Sequence, residues 1–227
     1  MTTPIWRPLL GVAILGLPGG AIPDAAAQGT AVRVVSGVAP DGRATERWLE
    51  IVRRRLPERS HDSVASIRKP LTAGERAWEE LIRARSVAWG DEALAVARPY
   101  RPVEPPRSIL VLTGNRGAED AFTHDSTTIG FDLAALQANY GTADLAENSA
   151  RLDRFFRHEY AHVMQKAWWA VHPYPTDTPL RHALAEIWSE GLGNYHSLST
   201  RWRREDGRRS PTAAAALTEL EPRFVAR

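Results

Sequence analysis

Apolar residues recur along this chain with two periods, and the places where the period changes divide it into elements. Ala31 to Val38 alternates as a short strand does. From Arg43 to Leu56, Trp48, Leu49, Val52 and Leu56 fall on one side of a helix. Thr72-Ala73-Gly74-Glu75 is a capping-box pattern that opens a second helix through Trp78, Leu81, Ile82 and Arg85, and a shorter one covers Asp91 to Ala97. Four prolines between Pro99 and Pro106 then interrupt the pattern. Beyond them Ile109 to Thr113 reads as a buried strand and Thr127 to Leu133 as another, with a glycine-bearing loop from Gly114 to Ser126 between them. Two long helical patterns follow. Asn148 to Val171 places Leu152, Phe156, Tyr160, Val163, Ala167 and Val171 at intervals of three and four. Leu180 to Arg204 carries Leu184, Ile187, Trp188, Leu192, Tyr195, Leu198 and Trp202 as its apolar face. The expectation is an α+β chain, mostly helical, with a small twisted sheet ahead of the long helix.

Within the first long helix, His158-Glu159-Tyr160-Ala161-His162 spells H-E-x-x-H. Residues four apart on a helix differ by about 40° around the axis and about 6 Å along it, so both imidazoles can converge on one ion. Glu159 leans toward the apolar sector of the wheel, an unusual place for a glutamate that only solvates a surface. From between the two histidines its carboxylate can reach a water in the open position of a zinc ion. A catalytic zinc takes three protein ligands, so a third donor must come from downstream. The metzincin pattern would need glycine and histidine at 165 and 168, where this chain has Gln165 and Trp168. Glu190, in Trp188-Ser189-Glu190-Gly191, is the candidate third ligand. Glu186, His172, His182, His196 and Asp177 are the other downstream donors, with His172 and Asp177 in the proline-broken link between the helices.

H-E-x-x-H on one helix followed by a glutamate in W-x-E-G on the next resembles the gluzincin group of zinc peptidases, over residues 158–191. The resemblance implies a zincin-like fold, one zinc ion on His158, His162 and Glu190, and Glu159 as the general base that deprotonates the metal's water. It implies that the glutamate helix packs antiparallel to the first, with Gly191 and Gly193 allowing close approach. Glycine inside a helix costs about 1 kcal/mol relative to alanine, which asks for such a packing reason. Several members place an acidic residue four positions after the ligand to orient the first histidine; this chain has Asn194 there, a weaker acceptor. Related enzymes also stabilise the oxyanion with a tyrosine or histidine. Tyr195 is the candidate, although its place on the apolar face also suits core packing. An exposed sheet edge in front of the long helix would take an extended peptide by strand addition, and Thr127 to Asp132 is the segment expected to offer it or simply to close the core.

Composition narrows the rest. With no cysteine, thiolate zinc sites and disulfides are excluded. The 29 Lys and Arg residues nearly balance the 27 Asp and Glu, giving +2, so the arginine clusters read as solvated helix faces and no nucleic-acid partner is expected. Residues 1–27 read as a cleavable secretory signal: Arg7, an apolar core from Leu9 to Leu17, and Ala25-Ala26-Ala27 as cleavage site. That core is about half a bilayer span, so no retained membrane anchor is expected. The organisation expected is signal 1–27, an N-terminal helical region 28–104, and a catalytic core 105–227. The whole reads as a secreted or periplasmic zinc metallopeptidase acting on peptides or proteins. A non-catalytic binding protein on the same scaffold, or an exported helical protein with an accidental pentapeptide, stays open at this stage.

Overall fold

Strand β2 (Ser108–Gly114) organises the fold, because its apolar run is buried on both faces. In this computed structural model, which describes residues 29–55, 68–115, 119–198, 202, 204 and 208–225, β2 lies inside a four-stranded mixed sheet. The signal assigned to residues 1–27 lies outside the described residues. The strand order is β1-β2-β4-β3, where β1 is Ala31–Ser36, β3 is Ala121–Thr123 and β4 is Thr128–Asp132. β1 and β4 run parallel to β2, and β3 pairs antiparallel with β4 as the outer strand. The described residues also form seven α-helices: α1 (Glu46–Arg55), α2 (Ala73–Ser86), α3 (Trp89–Ala97), α4 (Leu133–Tyr140), α5 (Ala146–Val171), α6 (Pro179–Ser197) and α7 (Pro211–Val225). The α+β class expected from the pattern is the one found. None of the described helices is long and apolar enough to cross a membrane.

Alternation along β2 assigns its two faces. Leu110 and Leu112 meet Trp48, Ile51 and Val52 of α1, together with Phe122 of β3. Ile109 and Val111 turn to the larger core with Ile129 and Phe131 of β4 and the buried sides of α2, α3 and α5. Glycine is required where α1 sits closest: a Cβ on Gly114 would lie 1.9 Å from Trp48 Cε2. The proline stretch joins two parts that share this sheet and this core, since β1 precedes it and β2 follows it. Helix α2 opens on the capping box read from its sequence. Thr72 Oγ1 accepts from Glu75 N, and the Glu75 carboxylate accepts from Thr72 N at 2.7 Å.

The 26-residue helix α5, roughly 39 Å long, is fixed in rotation by aromatic packing. Trp89 of α3 stacks on Phe156 at 4.6 Å and on Phe131 of β4 at 5.7 Å, and Phe156 stacks on Tyr160 at 5.7 Å. The rim of that stack is polar and satisfied: Trp89 Nε1 donates to Asp153, which also receives both a 3.1 Å and a 2.7 Å bond from Arg85 of α2.

Three features differ from the sequence pattern. One edge of the sheet, opposite β1, is β3, which the pattern hides inside a loop; β4, expected either to offer an edge or to close the core, is covered on both sides by β2 and β3. Helix α6 ends at Ser197, short of the Arg204 expected. Most of its apolar positions stay exposed: Ile187 is 68% exposed and Trp188 52%, while only Ala185 and Gly193 are buried, so α6 meets α5 through small residues instead. The physical reason is that two helices approach closely only where side chains are small, and here the site sits on that line of approach.

Gly114→Ala should lower stability by roughly 1–3 kcal/mol, the usual range for overpacking, and thermal melting should fall by several degrees. An unchanged melting temperature would show that Trp48 does not seat on that strand.

Candidate metal centre

Because the buried aromatic side of α5 faces the sheet, the next residues around its circumference, His158 and His162, face α6. Their rings lie edge to face with centroids 4.8 Å apart. Opposite them, Glu190 of α6 sets Oε2 3.3 Å from His158 Nε2 and Oε1 3.6 Å from His162 Nε2. One donor atom from each of the three residues lies within 4.8 Å of the others. Glu190 is the glutamate that comes to the two histidines; Glu186 lines the same cleft but does not join the cluster. The remaining donors lie elsewhere. His172 lies tilted against Trp168, His196 stacks on Tyr100, and Asp177 pairs with Arg181.

The donor set suits a divalent cation. Burial lowers the pKa of both imidazoles, strongly enough that the attraction of Glu190 does not reverse it, so the neutral ligating form is favoured at neutral pH. The tautomer of His162 is set from behind. Ser189 Oγ donates to Gln165 Oε1 at 2.7 Å and lies 3.0 Å from His162 Nδ1, so with its one proton committed it accepts the Nδ1–H. That leaves His162 Nε2 as a bare lone pair facing a carboxylate oxygen, an arrangement that a cation between them relieves. Sequence reasoning missed this pair. The signal was present, since Ser189 directly precedes the ligand and Gln165 lies three residues after His162 on the same helix.

His158 is held sterically. A Cβ on Gly193 would come within 2.8 Å of its ring carbon Cε1 and of Nε2, so the close approach of α6 depends on this glycine. Gly191 has open space instead and carries no such role. Asn194 lines the cleft, but among the described residues it makes no hydrogen bond to His158.

Glu159 sits behind the cluster, only 7% exposed. Desolvation pushes its carboxyl up to about 7, against the lowering effect of its hydrogen bond to Thr123 of β3, with the nearby Glu190 adding to the rise. Thr123 Oγ1 lies 2.9 Å from Glu159 Oε2 and 2.7 Å from the backbone oxygen of the same residue. A hydroxyl has one proton. With Glu159 ionised it goes to Oε2; with Glu159 protonated the hydroxyl donates to the backbone oxygen and accepts from the carboxyl. The edge strand therefore holds this carboxyl in place in both protonation states.

Cluster and glutamate open into a cleft of about 940 Å³ between β3, α5 and α6. Tyr195 is not part of it. The ring is 47% exposed, meets His196 edge-on, and is absent from the cleft lining, so it neither packs in the core nor reaches the cluster. At that point α6 turns its narrow side to α5, and a side chain five residues past Glu190 points away. Against models of known families, curated proteins and solved structures the chain shows no match, so this site is read from its own geometry.

Ser189→Ala should weaken zinc binding by about tenfold, the usual cost of losing the group that orients a ligating histidine, measured by competition with a chromophoric chelator. In metal-free protein, Glu159 binds its proton more tightly folded than unfolded. Its effect on stability is therefore harmless below the ordinary carboxyl value of 4.5 and grows as pH rises toward about 7. Glu159→Gln should accordingly stabilise the metal-free chain at pH 8, on the order of 3 kcal/mol, with the difference vanishing near pH 4 in denaturant titrations. A pH-independent difference would show that the carboxyl is not desolvated.

Proposed function

We propose that the chain is a zinc-dependent peptide hydrolase of the gluzincin kind, with His158, His162 and Glu190 holding one ion. The observation that carries the reading is the convergence of those three donors beside a buried glutamate in the sequence H-E-x-x-H. Zinc, when bound, supplies a Lewis acid that acidifies a water and polarises a carbonyl. The chain's own residues do the rest. Glu159, with its carboxyl near 7, takes a proton from the attacking water at Oε and returns it to the departing amine, a task that favours a pKa close to the working pH. Thr123 steers Oε2 while that proton comes and goes. The outer edge of β3 supports a second part of the reading: Ala121, Phe122 and Thr123 line the cleft, so an extended peptide can add to the sheet there through main-chain hydrogen bonds. Tyr195 is given no part in catalysis. Export, by the signal read in residues 1–27, places this activity outside the cytoplasm, in a periplasmic or secreted protein.

Elemental analysis of the purified chain should find about one zinc per molecule, lost in His162→Ala and in Glu190→Ala. Glu159→Gln should keep the zinc and lose at least about a hundredfold in turnover of a fluorogenic peptide library. Absence of zinc after incubation with the metal would remove the reading altogether. Stoichiometric zinc without hydrolysis would leave a metal-bearing binding protein.

A further inference from the structure

The cleft has a direction, and its charges are unequal at the two ends. At its start β3 is tied to the turn of α5 that carries Phe155: Asp120 accepts from Tyr140 at 2.5 Å, and the Tyr140 ring meets that of Phe155 at 5.8 Å. At its end, Thr123 bonds the backbone oxygen of Glu159. Strand and helix therefore run side by side in the same sense. A peptide pairing antiparallel to β3, the more stable pairing, enters with its amino end over Thr123 and leaves with its carboxyl end over Asp120. The segment on the carboxyl side of the cut bond then lies toward the start of α5.

Arg154 lines the cleft at that end. One helical turn before His158, it is about 6 Å back along the axis. Its basic neighbours are occupied: Arg151 bonds Glu147 at 2.9 Å, Arg157 bonds Glu92 at 3.1 Å, and Arg55 pairs with Glu119. Arg154 alone of these four makes no hydrogen bond or ion pair among the described residues. Asp120, the carboxylate nearest that end of the strand, is taken by Tyr140 and by Asn139 at 2.6 Å. Burial, then repulsion from Arg151 and Arg157, lowers the pKa of the Arg154 guanidinium, and the attraction of Glu147 and Asp153, neither of which forms an ion pair with it, does not offset this. A guanidinium remains charged at neutral pH all the same. Lys166, which also lines the cleft, lies toward the opposite end, one helical turn after His162.

We propose that Arg154 anchors a carboxylate carried by the substrate on the carboxyl side of the cut bond, so that the cleft selects peptides ending, or acidic, at that side. The inference rests on the peptidase reading. A planar guanidinium with free donors suits a two-bond grip on a carboxylate, whether a chain terminus or a glutamate side chain.

The test measures binding apart from turnover. Dansylated pentapeptides of one sequence, with a free carboxyl terminus, an amidated terminus, or an amidated terminus with glutamate as the last residue, are titrated by fluorescence anisotropy. The protein is the zinc-loaded full chain carrying Glu159→Gln, so that the peptides stay intact. Both carboxylate peptides, or whichever one is the true source, should bind about tenfold more tightly than the plain amide. Arg154→Gln should bring that ratio close to one, Arg154→Lys should restore part of it, and Lys166→Gln should leave it unchanged. Equal affinity for all three peptides overturns the anchor, as does a preference that survives Arg154→Gln, which would belong to the metal. In those cases hydrolysis of the same peptides by the unmodified chain keeps the peptidase reading intact. If no peptide binds and none is hydrolysed, both fall together.

Discussion

The rotation of α5 about its own axis is the constraint on which the site depends. Trp89, stacked against Phe156 and Phe131, holds one side of the helix to the sheet, and Tyr160 extends that side by a further turn. A rotation of even 40° would turn His158 and His162 off α6 and withdraw Glu159 from Thr123, because all three belong to the strip adjoining the buried one. The hydrogen bond from Trp89 to Asp153, and the two bonds from Arg85 to the same carboxylate, add direction to a stack that dispersion alone would let slide.

A second constraint acts across the helix pair. Helix α6 must bring a carboxylate to two imidazoles, and it does so by presenting Ala185, Ser189 and Gly193 to α5, a line of small residues one turn apart. The line accomplishes three things: Gly193 admits the His158 ring, Ser189 orients His162, and the spacing leaves Glu190 at the rim of the cleft. The large apolar residues of α6 cannot occupy that line and turn outward, which explains why a pattern that reads as core is exposed at Ile187 and Trp188. Hydrophobic periodicity reports which face of a helix is apolar; it does not report which face meets its neighbour when the contact is made by small residues.

The same distinction separates what was legible in the sequence from what was not. His158, Glu159 and His162 could be singled out because their spacing is a property of one helix, as could the capping box of α2, whereas Glu190, on the next helix, came from the W-x-E-G resemblance. The long helix was visible because Leu152, Phe156, Tyr160 and Val163 all pack on one core. Strand β3 was not visible: three residues cannot establish a period of two, and its place at the sheet edge comes from antiparallel pairing with β4, a long-range fact. Helix α4 was likewise overlooked, since Leu133 to Tyr140 is eight residues with only Leu133 and Leu136 buried, too few to set a pattern. Gly191 and Gly193 look equivalent as letters, and only the position of the His158 ring tells them apart. Tyr195 was misjudged as a core or site residue for the reason that misleads along all of α6, an apolar stripe that faces solvent.

Two glutamates in one cleft have opposite environments, and the difference suits the two roles proposed for them. Glu190, with its side chain 60% exposed, stands at the cleft mouth beside the two histidines. Glu159 has lost its water to Phe122, Thr123 and the body of α5, and holds its proton up to about 7. A ligand must remain ionised across the working range, whereas a base must exchange a proton within it. On the proposed reading, a positive ion at the cluster would favour the ionised form of Glu159, in opposition to desolvation. The Thr123 hydroxyl, within reach of both Oε2 and the backbone oxygen, accommodates that change by turning its one proton and demands no movement of β3. The strand that would bind the peptide and the residue that would move the proton are therefore joined at one side chain, which fixes the distance between substrate backbone and base.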